Sequence, residues 1–211
     1  MRVPILTDAE KYEISNSINE NDLYIFHSGT LYDNKDGISG ILEAMGIAIS
    51  KFKVPIRFIT TGNIENSPDF ERIKSVVFEY GIADRVECLG YVTESKLKHY
   101  LDSAAIVIVN KLPTTQNTYC FSTKIGEYAA SGKAIITTDF GEQAYWFKNG
   151  YDSIIVHSGD TKEMAQAIVR LTDASLRSHI GNNARQSCLD NFDYHKWSSA
   201  LKNFVEQCSK D

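Results

Sequence analysis

A chain of 211 residues with 43% hydrophobic content can bury one substantial core, about 70% of the surface its unfolded form would expose, so length admits one large domain or two small ones. A formal net charge of -5 argues against a non-specific nucleic-acid binder, which would carry a basic field. The apolar runs fall short of the roughly 20 residues that span a bilayer, the start MRVPILTDAEKYE lacks a signal peptide's basic-then-apolar pattern, and Cys88, Cys120, Cys188 and Cys208 form no C-x-x-C pair, so a soluble, cytoplasmic chain with free thiols is expected.

Residues 1–21 are polar and weakly patterned and read as a linker-like segment; the domain proper is expected over 22–211. DLYIFHSG, 22–29, predicts a strand stopped by glycine. Ile38, Ile41, Leu42, Met45 and Ile49 fall at helical spacing within 36–51, giving one buried stripe. VPIRFITTG, 54–62, is the second strand, and a turn with Pro68 leads into a helix over 69–80 with Gly81 as its C-cap. RVECL, 85–89, is the third strand, followed by a short helix over 94–102. AAIVIVN, 104–110, is the most apolar strand and is expected at the centre of the sheet, buried on both faces. After the loop KLPTTQNTYCF come a helix from Ser122 to Ala130, the strand AIITT at 134–138, a short helix near 142–148 and the strand DSIIV at 152–156. Helices over 161–172, 174–190 and 194–208 complete the chain.

This alternation predicts an α/β fold: a single Rossmann-like, doubly wound parallel sheet of six strands in the order 3-2-1-4-5-6, with helices on both faces. Ligands of such sheets bind at the carboxyl ends of the strands, near the switch in strand order. Three loops qualify. The first, GTLYDNKDG from Gly29 to Gly37, is neither G-x-G-x-x-G nor a Walker A loop. Its Gly29 lets backbone approach a ligand, and Lys35 sets a cation where it would neutralise a diphosphate, or else is a solvated lysine beside a turn. The second is TYCFSTKIGEYAASGKAII, 118–136. Ser122 and Thr123 stand where a helix begins, and its unpaired N–H groups and dipole attract phosphate. Lys124 adds a charge, and Glu127 would accept from a ribose diol; alternatively Ser122 is an N-cap and both charges lie on a wet face. The third is Gly90-Tyr91-Val92, whose backbone could meet a base edge while Tyr91 stacks on the base or simply lines the surface.

The stretches HSGTLYDNKDGISGILEAM, DRVECLGYVTESKLKHYLDSAAIVIVN and FSTKIGEYAASGKAIITTDFGEQAYWFKNGYDSIIV resemble the C-terminal domain of group 1 glycosyltransferases, retaining enzymes of the two-domain GT-B architecture, across residues 22–205. The resemblance implies a nucleotide-diphosphate sugar as donor substrate, no metal or other cofactor, and no nucleic-acid partner. It also implies an acceptor-binding half preceding this one, through which a peripheral membrane association could run. It implies that Gly29 and Lys35 hold the donor diphosphate, Lys35 as a charge-stabilising, catalytic residue, and that Glu127 binds the donor ribose. The three loops add Lys124 as a second catalytic cation and Thr30, Tyr91, Val92, Ser122 and Thr123 as donor-binding residues. In such proteins the last helix often crosses back to the first domain. The absence of any D-x-D motif agrees with the family's metal-independent habit.

The chain also departs from the family pattern. Thr30 stands where the family has an arginine, and Tyr119 where its first glutamate, a contact of the transferred sugar, would fall. Cys120 and Ser122 replace the glycines around Phe121. A subset of members resembles this chain in its Lys-x-x-Glu-Tyr ending, Lys124 to Tyr128, and we expect Lys124 to take over part of the charge lost at position 30. Two other functions fit the same residues: a catalytically inactive nucleotide-binding module, favoured by Thr30 and Tyr119, and a nucleotide-sugar epimerase of the same architecture.

Overall fold

The computed structural model describes residues 6–12, 14 and 17–208; residues 1–5, 13, 15 and 16 of the expected linker-like segment lie outside them. Six parallel strands, β1 (Leu23–His27), β2 (Ile56–Thr60), β3 (Val86–Cys88), β4 (Ile106–Val109), β5 (Ala134–Thr138) and β6 (Ile154–Val156), form one sheet in the order β3-β2-β1-β4-β5-β6. The expected fold class and strand order are those observed. The helices between them are α1 (Asp33–Asp36), α2 (Ile38–Phe52), α3 (Phe70–Glu79), α4 (Glu94–Ser103), α5 (Thr115–Thr118), α6 (Thr123–Ala130), α7 (Gln143–Trp146), α8 (Thr161–Arg170), α9 (Ala174–Asn191) and α10 (Tyr194–Cys208). The one-turn helices α1 and α5 fall within stretches read as loop, because four residues carry no periodicity to detect.

Every residue of β1, β4 and β5 is buried, which is why these strands read as unbroken apolar runs rather than alternating ones. Successive side chains of a strand point to opposite faces. Ile25 therefore joins the core under α2 and α8, with Ile41, Met45, Phe58 and Ile168, while Tyr24 and Phe26 join the opposite core under α4, α6 and α9, with Ile125, Tyr128, Ile135 and Phe192. The register sets Ile25 beside Ile106 and Phe26 beside Ile59. The helix predicted over 69–80 ends one residue earlier than expected, with Tyr80 as C-cap and Gly81 next in the left-handed region at φ +61.

The described residues of 1–21 lie on the domain rather than away from it. The Thr7 N–H donates to the Phe192 carbonyl at 2.7 Å, the Tyr194 N–H donates to the Thr7 carbonyl at 3.2 Å, Ala9 is fully buried, and Glu20 pairs with Arg177. Thr7 also sits directly over Gly126 of α6, so any side chain there would collide with its hydroxyl. By contrast α10, expected to cross back to another domain, has no buried residue and leaves Phe204 and Val205 exposed.

Candidate functional site

Three strand-to-helix loops meet at the carboxyl ends of β1, β2 and β3 around a cavity of about 550 Å³, whose wall includes Gly29, Thr30, Thr61, Gly62, Asn63, Tyr91, Val92 and Leu97. Four residues expected to bind a donor, Gly29, Thr30, Tyr91 and Val92, thus share one cavity, although Tyr91 is fully exposed at its rim. Gly29 adopts φ +122, and its N–H donates to Thr61 Oγ1 at 3.0 Å. A Cβ at Gly62 would lie 2.6 Å from Leu31 Cγ and 2.8 Å from the Gly29 carbonyl oxygen. Only glycine lets the first two loops close on each other. Gly62→Ala should therefore cost about 2 kcal/mol, in the range of overpacked sites. That lowers the melting temperature by roughly 4–8 °C for a domain of this size, and an unchanged thermal melt would show that the loops have room.

Behind Gly29 lies a buried cluster of charge. Lys124, on the first turn of α6, places Nζ 2.8 Å from Asp36 Oδ2 and 3.0 Å from His27 Nε2. Lys111, two residues after β4 and 1% exposed, places Nζ 3.2 Å from Asp36 Oδ1 and donates to the Lys35 carbonyl at 2.7 Å. His27 ends β1, is 1% exposed and has Nδ1 3.3 Å from Thr60 Oγ1. An ammonium only donates, so His27 Nε2 must be the unprotonated acceptor and Nδ1 carries the hydrogen. Burial and the Lys124 charge push the imidazole down to about 4, so it stays neutral at physiological pH. Burial works against the Asp36 carboxylate, but the charge and hydrogen bond of Lys124 outweigh it and hold the group well below its ordinary range. Burial lowers the Lys124 ammonium, with Asp36 opposing and the charges of Lys111 and Lys35 reinforcing the fall.

The start of α6 is open. Ser122 is 5% exposed and occupies the N-cap position, yet its side chain makes no capping hydrogen bond, and among the described residues the N–H groups of Thr123 and Lys124 meet no acceptor. One turn on, Glu127 is half-buried with no ion pair among the described residues; burial raises its carboxyl, and only Lys124 opposes. Tyr128 ties the helix to the first loop, its hydroxyl accepting from the Ser28 N–H at 3.0 Å. Lys35 is partly exposed and has no ion pair among the described residues. Lys124 thus interacts electrostatically with both Lys35 and Glu127, but Lys35, Ser122, Thr123, Lys124 and Glu127 all lie outside the wall of the cavity itself.

Sequence reasoning missed His27, Asp36, Lys111, Thr61 and Gly62. A signal existed for two of them: His27 closes an otherwise apolar strand at its carboxyl end, and Lys111 follows another by two residues, where ligands of open α/β sheets bind. Among the described residues, no group of three His, Cys, Asp or Glu could hold a metal ion, and no helix is long and apolar enough to cross a membrane.

A doubly wound sheet with glycine-lined loops and a cationic cluster at its switch point defines an α/β ligand-binding domain. The chain belongs to the family described as glycosyl transferases group 1, whose sequence model matches residues 22–174. It is 22% identical over 189 residues to an uncharacterized glycosyltransferase of Methanocaldococcus jannaschii, covering 89% of this chain and 45% of that protein. The chain therefore spans about half the length of this curated relative. Its fold is similar to that of Anabaena HepE in complex with UDP-glucose, with a TM-score of 0.79 at 15% identity over 96% of this chain and 56% of that one. It is also similar to the C-terminal domain of a glycosyl transferase group 1 family protein from Francisella tularensis, with a TM-score of 0.68 at 15% identity over 90% of this chain and 95% of that one.

Proposed function

We propose that this chain is the donor-binding half of a retaining glycosyltransferase, acting with an acceptor-binding domain on a nucleotide-diphosphate sugar and without a metal. The observation that carries the reading is the place of the Lys124 ammonium. A Cβ built on Gly29 would lie 3.3 Å from Lys124 Nζ, so a cation from α6 reaches the loop where Thr30 replaces the family's arginine. The base would lie in the cavity against Gly90, Tyr91 and Val92, and the diphosphate between that loop and the open N–H groups of α6. Glu127, a carboxylate with no ion pair among the described residues, would take the ribose hydroxyls. As the bond from sugar to β-phosphate breaks, charge gathers on the leaving diphosphate. Lys124, Lys35 and the helix amides would hold it more tightly in the transition state than in the ground state.

Lys35→Ala and Glu127→Ala should each weaken UDP binding about tenfold, the loss of one charge-assisted hydrogen bond. Calorimetry showing unchanged affinity in both would remove the site. A thermal-shift comparison of UDP, GDP and ADP selects the base, since a ligand at 100 times its Kd stabilises the native state by about 2.7 kcal/mol. Tyr119, 87% exposed and not acidic, keeps a second reading in play: a binding module without turnover. UDP binding with neither transfer nor donor hydrolysis by the protein carrying both halves would favour it.

A further inference from the structure

The proposed site needs an ammonium delivered beneath Gly29, and lysine is a poor residue for that task unless something holds it. Its four-carbon stem is flexible, and its charge is strongly hydrated and readily lost on burial. A carboxylate that simply paired with it would cancel the charge a diphosphate needs. The cluster behind Gly29 resolves both difficulties. Asp36 Oδ2 and His27 Nε2 take two of the three ammonium hydrogens of Lys124, at 2.8 and 3.0 Å. The other oxygen of the carboxylate is occupied by Lys111 at 3.2 Å. Lys111, 1% exposed and also bound to the Lys35 carbonyl, cannot reach a ligand. It serves as the counter-ion of Asp36. With His27 neutral, two ammoniums share one carboxylate and one positive charge is left over.

We infer that His27 and Asp36 are positioning residues, a buried socket that aims the Lys124 ammonium at the Gly29 loop, and that Lys111 neutralises Asp36 so that the aimed lysine keeps its charge for an anionic ligand. The inference rests on the donor-site reading above. The groups facing Lys124 are His27 from β1, Asp36 and Lys35 from α1, Lys111 from the end of β4 and Glu127 from α6 itself. Of these, the Asp36 charge and hydrogen bond support the ammonium against burial and the two other lysines. Loss of the socket must therefore release the Lys124 proton at lower pH.

The test follows UDP affinity against pH by calorimetry. Asp36→Asn alone would strand the buried Lys111 charge and could unfold the chain, so the informative variants are the Asp36→Asn/Lys111→Met pair and His27→Phe. The latter keeps a ring over Phe58, whose centroid lies 6.3 Å away, and removes the acceptor together with the longer Nδ1 contact to Thr60. Each should weaken UDP about tenfold, the loss of one charge-assisted hydrogen bond, and should bring the alkaline fall in affinity to lower pH than in the wild type. Adding Lys124→Arg to either should abolish that fall, because a guanidinium stays protonated. A merely structural role would leave the pH profile in place. Socket variants that fold and bind UDP with wild-type affinity and pH dependence overturn the inference alone, provided Lys124→Met weakens binding; if Lys124→Met binds as the wild type does, the site and the socket fall together.

Discussion

Alanine at Gly181 should cost about 3 kcal/mol of stability, the upper end for an overpacked position, although alanine is the better helix former by about 1 kcal/mol. Gly181 sits in α9 where that helix crosses the turn between α6 and β5. A Cβ there would collide with the Gly132 carbonyl oxygen and lie 3.0 Å from the Gly132 carbonyl carbon. Both obstacles are backbone, so no side chain can swing aside. Gly132 is itself fixed at φ +66 and cannot readily relax. Nor can α9 move alone: Arg185 donates to the Ala130 carbonyl, and at 2.7 Å to that of Tyr12, while the Cys188 thiol meets the Gly126 carbonyl at 3.6 Å. These contacts bind α9 to the helix that carries Lys124. Thermal unfolding should show a fall of roughly 6–12 °C, with Asn182→Ala, one position on and exposed, as the helix-propensity control. A Gly181→Ala protein that melts with the wild type would mean that α9 and the turn separate at little cost.

Gly181 also marks where sequence reading stops. A glycine in mid-helix reads as a weakness in the helix; that it is a point of backbone approach depends on a partner nearly fifty residues away. The sheet was legible for the opposite reason. AAIVIVN is apolar throughout because both its faces are covered, and parallel strands joined by helical crossovers admit few orders. Local signals also placed the first loop, Gly90-Tyr91-Val92 and the start of α6 at strand ends. The charge cluster had no such signal. The contacts Lys124–Asp36 and Lys111–Asp36 join residues 88 and 75 positions apart, and a lysine or aspartate beside a strand looks the same whether it faces water or a counter-ion. For the same reason Lys124 reads as a free cation on a helix face, whereas it is held from two sides.

Because it is held, Lys124 is, on the proposed donor-site reading, the side chain whose loss should matter most to turnover by the protein carrying both halves. Lys124→Met keeps the length of the side chain and removes the charge. Asp36 retains Lys111, so no buried carboxylate is stranded. The His27 Nε2 acceptor loses its donor, a cost of about 1–3 kcal/mol that a domain of ordinary stability survives. Turnover of the nucleotide-sugar should fall by about 10²–10³, the effect of removing one preorganised donor from a site of developing charge. Affinity for the nucleotide should fall far less, since the charge on the β-phosphate is greatest only as the glycosidic bond breaks. The pH dependence has a definite sign. The protonated lysine is the competent form and burial lowers its pKa, so the wild-type rate should decline on the alkaline side, earlier than an exposed lysine would allow. Lys124→Arg should run below the wild type, its planar fork being a poor fit to a socket built for an ammonium, but with that alkaline decline gone. A Lys124→Met enzyme with wild-type turnover would place the leaving-group cation elsewhere, and Lys35, the remaining partly exposed lysine of the first loop, would be the residue to examine next.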